Sequence, residues 1–302
     1  MTAHYPSLYL AGPTGSGKTA VALAFAHLCS PVEIINADAF QAYRGLELLS
    51  AAPSEEEKQI CPHHLFSCLN PEEENDAATF ARLARAAMEQ VSSRARALVV
   101  GGSGLYLKAI THGLAPTPKG DPALRAKLEE QSLDSLVEQY RSLDPEGAGR
   151  TDLQNRRYVT RNLEICLLSG QPASVLKANW ERNNPEVRAV YLSRDREDLH
   201  DRIELRNTRL FDSGVIEEVR ALPTLSATAG KAIGIPEIRG FLRGEMDETT
   251  CRETLLLATR QYARRQETWF RREPAFHRLP VSRGEDPEQT ARRIARHFSL
   301  PA

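Results

Sequence analysis

Short runs of consecutive apolar residues alternate with longer stretches in which apolar positions recur at helical spacing. Residues 7–11, Ser-Leu-Tyr-Leu-Ala, predict a short buried strand, and Thr19 to Cys29 predict an Ala-rich helix with Val21, Leu23, Phe25 and Leu28 as apolar members. Pro31 closes that helix, and Val32-Glu33-Ile34-Ile35 predicts a second strand. A helix is predicted over 76–93, a third strand at Ala97-Leu98-Val99-Val100 running into Gly101-Gly102, and another helix from Gly104 to Ile110. Strands alternating with helices predict an α/β fold with a parallel sheet flanked by helices.

The pattern changes near residue 115. Ala115 to Pro122 is rich in Pro and Gly and reads as a hinge. From 123 to about 183 the signal is helical. A strand is predicted again at Val187 to Leu192, followed by another strand and several helices, including a long one over 248–272. The predicted organisation is therefore a core made of 1–115 and 186–302, interrupted by an all-helical insertion domain at 116–185.

The composition adds bounds. With 302 residues, 41% hydrophobic and 26% charged, the chain has the balance of a globular protein large enough to close an active site. No apolar stretch approaches the roughly 20 residues needed to span a bilayer, and residues 1–7 have no signal-peptide pattern, so no membrane association and a cytoplasmic location are expected. The five cysteines are irregularly spaced, as in a reduced protein. Cys61, His63, His64 and Cys68 lie close together but lack the paired spacing of zinc ligands, so residues 62–66 predict a Pro-led turn into a strand. The net charge of −1 does not announce a nucleic-acid binder, yet arginines cluster at 150–161, 202–209 and 260–272, which permits a basic face.

Gly12-Pro13-Thr14-Gly15-Ser16-Gly17-Lys18-Thr19 matches G-x-x-x-x-G-K-[ST] between a predicted strand and a predicted helix. Glycines let backbone N–H groups turn toward phosphate oxygens, and the helix points its positive end at them. Lys18 supplies a cation, and the Thr19 hydroxyl suits Mg²⁺. The strand at 97–100 ends without the aspartate of a nucleotide hydrolase, which argues against ATP or GTP hydrolysis. Asp38 follows the second strand, on the ligand-binding edge of an open α/β sheet. It reads equally as a general base and as a helix N-cap.

Together these stretches resemble the tRNA dimethylallyltransferases. The likeness is carried by the phosphate loop, by Asp38-Ala39-Phe40-Gln41-Ala42-Tyr43-Arg44-Gly45 and by Gly101-Gly102-Ser103-Gly104-Leu105-Tyr106. It extends through Asp121-Pro122 with Arg125, Arg157 to Glu164, Phe211 to Gly214, and Thr259 to Arg271, in order over about nine-tenths of the chain. The resemblance implies a P-loop NTPase-like core whose loop, Gly12 to Thr19, grips the diphosphate of dimethylallyl diphosphate, not of ATP. It implies Asp38 as the base for N6 of adenosine 37 in a tRNA anticodon stem-loop, with Lys18, Thr19 and Mg²⁺ acting on the leaving diphosphate. Arg206 is the implied further diphosphate contact. Asp38, Ala39, Phe40, Gln41 and Ser103 are implied around the flipped base, and Arg125, Arg157, Tyr158, Val159, Thr160 and Arg161 on the tRNA. A monomer is expected.

The chain departs from the family pattern at Ala39, Ala52, Tyr158 and Ile235-Pro236, which puts individual polar contacts in doubt but leaves the loop and Asp38 intact. A small-molecule P-loop kinase, a non-catalytic RNA-binding protein and a transferase acting on free adenine nucleotides are the competing readings. Arg202, Arg206 and Arg209 read either as a phosphate-facing set or as a solvated face. Arg260 and Arg264 read as an RNA-facing set or as partners of Glu253 and Glu267, and Trp269 and Phe270 as core.

Overall fold

A computed structural model of the chain describes residues 5–182 and 186–301. It divides into two compact units, Met1–Thr111 with Glu186–Ala302, and His112–Pro185. The predicted end of the helical stretch at 183–185 lies outside the described residues.

The first unit begins β1 (Leu8–Ala11), α1 (Lys18–Leu28), β2 (Val32–Asn36), α2 (Glu47–Ser50), α3 (Glu55–Lys58), β3 (His63–His64), α4 (Ala77–Ser92), β4 (Arg96–Gly101) and α5 (Gly104–His112). The second unit carries α6 (Pro122–Glu129), α7 (Leu133–Leu143), α8 (Pro145–Arg150), α9 (Arg156–Ser169) and α10 (Ala173–Arg182). The chain then returns to the first unit with β5 (Ala189–Ser193), α11 (Arg196–Asp212), α12 (Val215–Ala221), α13 (Ile235–Leu242), α14 (Glu248–Phe270), β6 (Phe276–Pro280) and α15 (Pro287–His297).

All six strands are parallel, in the order β3-β2-β4-β1-β5-β6. The apolar runs of β1 and β4, and of β2 apart from Glu33 and Asn36, follow from burial on both faces. Tyr9, Ala11, Ile35, Ala97 and Val99 face one side, where Phe80 of α4, Leu107 of α5 and Phe270 of α14 cover them. Leu8, Leu10, Ile34, Leu98 and Val100 face the other, against Phe25 of α1 and Ile294 of α15. Each large aliphatic side chain so buried contributes about 1.5–3 kcal/mol. A third cluster unites Leu46 and Leu49 with Phe211 of α11, Val215 and Val219 of α12, Ile238 of α13 and Leu255 of α14. Because the strands are parallel, their carboxyl ends share one edge of the sheet, and the loops after β1, β2 and β4 meet there.

The second unit has its own core. Leu128, Leu136, Tyr140, Val159 and Leu163 are its buried members. Prolines at the first turns of α6 and α8 and Asp caps at Asp121 and Asp144 start those helices without stranding backbone donors. Among the described residues no helix is long and apolar enough to cross a membrane.

Candidate active site

Gly15 (φ 82°) and Gly17 (φ 91°) turn the phosphate loop through the left-handed region, which residues with side chains resist. The loop thereby delivers Lys18 to the first turn of α1. Lys18 Nζ donates to the carbonyls of Gly12 and Pro13, both at 2.9 Å. Burial pushes the Lys18 ammonium down to about 8; the charge of Asp38 works against that lowering, and Arg206 adds to it.

Asp38 is presented by a turn, not by a helix, which settles the N-cap alternative. Fully buried Asn36 shapes that turn: its Oδ1 accepts from Asp38 N at 2.7 Å, and its Nδ2 donates to the carbonyls of Asp38 and Leu65. Asp38 Oδ1 in turn accepts from Phe40 N at 3.0 Å. A Cβ at Gly101 would lie 2.3 Å from the Ala37 carbonyl oxygen, so only glycine there lets the Asp38 turn cross the end of β4.

Thr14, Gly15, Gly17, Lys18, Thr19 and Asp38 line one cavity of about 620 Å³. Phe40, Gln41, Arg206 and Tyr262 line it as well, and Leu46, Leu49, Leu210, Ile233 and Leu255 give it an apolar wall. The cavity is thus cationic and hydroxyl-bearing at the loop, acidic at Asp38 and hydrocarbon-lined elsewhere. Burial pushes the Tyr262 phenol up, and the nearby Asp38 charge adds to that rise.

Arg202, Arg206 and Arg209 all line the cavity, Arg206 half-buried and Arg202 and Arg209 exposed. Arg206 donates to Thr14 Oγ1 at 2.8 Å, Arg202 to the Gly15 carbonyl at 2.8 Å and Arg194 to the Ser16 carbonyl at 2.8 Å. Burial lowers the Arg206 pKa, with the Asp38 charge opposing. Arg260 pairs with Glu204 of α11 rather than with Glu253. Phe270 is core, and Trp269 packs beside it, where a Cβ at Gly104 would lie 2.2 Å from its ring.

Several residues expected at the site lie away from the cavity surface in this structure. Gly12, Pro13 and Ser16 lie behind the cavity surface: the first two serve as carbonyl acceptors for Lys18, and Ser16 is fully buried. Ala39 packs into the sheet core, and Ser103 is outside the cavity lining. Val159 is wholly buried in the second unit's core and Thr160 nearly so, because α9 turns that face inward; neither side chain is free to touch RNA. Gln41 Nε2 donates to the carbonyls of Ser50 and Ala51.

Arg157 and Tyr158 are exposed on α9. Arg125 and Arg161 converge on the buried Glu164 carboxylate, at 2.8 and 2.6 Å. Burial opposes the charge of Glu164, but these two guanidinium groups hold its carboxyl below the ordinary range. Of the Cys/His cluster, His64 bonds Glu33 and His63 Nδ1 lies 2.8 Å from the Cys61 carbonyl.

For a metal, the Thr19 hydroxyl beside the phosphate loop is an oxygen donor on the cavity surface. Among the described residues no group of three or more His, Cys, Asp or Glu side chains could hold an ion. The donor set therefore fits Mg²⁺ arriving with phosphate oxygens, since Mg²⁺ needs only one or two protein ligands beside phosphate and water. Asn36, Arg194 and Glu218 carry no motif signal of their own for a place at this site, whereas Tyr262 and Gln266 fall within the Thr259 to Arg271 stretch; the partners of Arg194, Glu218 and Gln266 are remote in sequence.

Comparison with known proteins follows the same geometry. Residues 41–273 match the family model described as IPP transferase. The chain is 45% identical over 289 residues to a tRNA dimethylallyltransferase of Akkermansia muciniphila, covering 95% of this chain and 98% of that one. It is 39% identical to a tRNA dimethylallyltransferase of Bifidobacterium longum, covering 89% and 85%. The crystal structure of a tRNA isopentenylpyrophosphate transferase from Bacillus halodurans superimposes with a TM-score of 0.70 at 27% identity, covering 98% and 97%.

Proposed function

The chain belongs to the IPP transferase family, and from that premise we propose that it transfers the dimethylallyl group of dimethylallyl diphosphate to N6 of adenosine 37 in tRNA anticodon loops, releasing diphosphate. The observation that carries the reading is that Lys18, Asp38 and a set of apolar side chains line one cavity. A phosphate cradle alone would suit many reactions. A cradle, a carboxylate and a hydrocarbon surface in one space suit an allylic diphosphate and a weakly nucleophilic amine.

In this reading the loop N–H groups of Gly15, Gly17, Lys18 and Thr19, with the Lys18 ammonium and Arg206, hold the diphosphate. Leu49, Leu210, Ile233 and Leu255 receive the dimethylallyl group. The lone pair of N6 attacks C1, the C1–O bond breaks, its electrons leave with diphosphate, and Asp38 takes the proton that N6 loses. Cations fixed at the loop stabilise charge where it grows, without reorganising during the step. Thr19 would hold Mg²⁺, which supplies further neutralisation of the diphosphate. The target base must leave its stack, which costs least in an unpaired loop. Phe40, Gln41 and Tyr262 line the space that would receive it, while Arg157 and Tyr158, with the Arg125 and Arg161 pair, offer the tRNA a cationic surface on the second unit.

The direct test is incubation with dimethylallyl diphosphate labelled in the allyl group, Mg²⁺ and unmodified tRNA. Label is expected in RNA at adenosine 37, with one diphosphate released per transfer. Label remaining in the diphosphate pool, or appearing on free AMP in preference to tRNA, contradicts the proposal.

A further inference from the structure

Gln266 sits on α14, 4% exposed, and both ends of its amide are occupied. Its Oε1 accepts from Thr14 N at 2.9 Å, and its Nε2 donates to the Gly102 carbonyl at 2.8 Å. A Cβ at Gly102 would lie 2.3 Å from that Nε2, so glycine at 102 makes room for the bridge. Thr14 is also the residue whose hydroxyl accepts from Arg206. An unbroken chain of hydrogen bonds thus runs from Arg206 through Thr14 and Gln266 to the end of β4, where Gly101 supports the Asp38 turn.

We infer that Gln266 is a positioning residue that sets the phosphate loop at a fixed distance from the acceptor side of the cavity. The inference rests on the transferase reading above and deepens it. Because Thr14 N–H is given to Gln266 and Ser16 N–H to the Pro13 carbonyl, those donors are withheld from the substrate, and diphosphate is left to Gly15, Gly17, Lys18 and Thr19. Removing the bridge frees the loop to shift against Asp38 without removing any of those diphosphate donors. Transfer depends steeply on alignment, and a displacement of about 1 Å costs on the order of 100-fold in rate. Binding of dimethylallyl diphosphate does not share that dependence.

The experiment compares Gln266→Leu and Gln266→Glu with the wild-type chain, measuring kcat, the Kd for dimethylallyl diphosphate and the pH profile of transfer. Gln266→Leu is expected to lower kcat by about 30- to 100-fold with Kd within about threefold. Gln266→Glu separates alignment from mere packing. Ionised, its carboxylate repels the Gly102 carbonyl. Protonated, it donates to that carbonyl and still accepts from Thr14, reproducing the amide. Burial raises a carboxyl pKa, so activity relative to wild type is expected to rise at least about fivefold from pH 8 to pH 6. Tyr262 on the same helix, which hydrogen-bonds Gln266, and Lys18, Asp38 and Arg206 face this part of the cavity and are common to both proteins, so the ratio removes their own titration and leaves what the new carboxyl does. If Gln266→Leu does not fold, the Gln266→Glu profile decides. A folded Gln266→Leu with kcat within threefold of wild type, or a Gln266→Glu profile parallel to wild type, overturns the inference while leaving the transferase reading intact. Failure of the wild-type chain to transfer removes both.

Discussion

At the residue scale, the site depends on cations placed where water is scarce. Lys18 has lost much of its hydration, and only part of that loss is offset by Asp38. An ammonium whose pKa falls to about 8 is charged below that pH and neutral above it. The diphosphate prefers the charged form, so affinity for dimethylallyl diphosphate is expected to be full below pH 8 and to weaken as pH rises through it. Titration calorimetry across pH 6.5–9.5 checks this, with Lys18→Gln as the control: it binds weakly throughout and loses the pH step. A wild-type profile flat to pH 9.5 contradicts the assignment. Lys18 and Asp38 were legible in the sequence because a phosphate loop is local and because the end of a β-strand locates an acid on the ligand edge. Gln266 stands within the Thr259 to Arg271 stretch that carries the resemblance, but its tie to Thr14, 252 positions away, was not legible, since nothing local marks a long helix as a loop brace. The burial of Val159, Thr160 and Ala39 was not legible for the complementary reason: a motif names consecutive residues, whereas a helix or a buried turn exposes only some of them.

At the element scale, the apolar wall rests on α2, a helix of only four residues with no side-chain cap of its own. Its first-turn donors are satisfied from a distance. Glu218 of α12 accepts from Leu48 N at 2.7 Å and Leu49 N at 2.9 Å. The carbonyls at its other end accept from Arg206 and Gln41. A helix this short does not persist by itself, so these ties fix where Leu46 and Leu49 stand. Glu218→Ala is expected to cost about 1.5–3 kcal/mol, the range for hydrogen bonds to a charged group, and to weaken dimethylallyl diphosphate binding several-fold. Denaturant midpoints and a binding isotherm measure the two effects. Unchanged affinity would show that the wall stands without the clamp. Strand periodicity predicted β1, β2, β4 and β5 well, because parallel strands buried on both faces are apolar throughout. The five-residue β6, buried at only two positions, gave a weaker signal.

At the scale of the whole molecule, charge is sorted by task. The net charge of −1 hides an inward-facing set, Lys18 and Arg206, and a separate exposed set on the second unit. The second unit has its own core and its own buried ion cluster at Glu164. The two substrates of the proposed reaction therefore call on different surfaces. Replacing Arg157 and Tyr158 together by Ala is expected to weaken tRNA binding about tenfold or more, through lost phosphate and stacking contacts, while the Kd for dimethylallyl diphosphate stays within about twofold. Filter binding and calorimetry separate the two. Equal loss for both substrates would contradict that division of labour.

The account stands on one cavity serving the leaving group at Lys18 and the incoming amine at Asp38. Single-turnover transfer by Asp38→Asn, with both substrates saturating and their affinities measured in parallel, tests that most directly. The predicted result is a fall in transfer of at least about 100-fold, the scale of a lost general base, with both Kd values within a few-fold of wild type. Transfer at near the wild-type rate would contradict it.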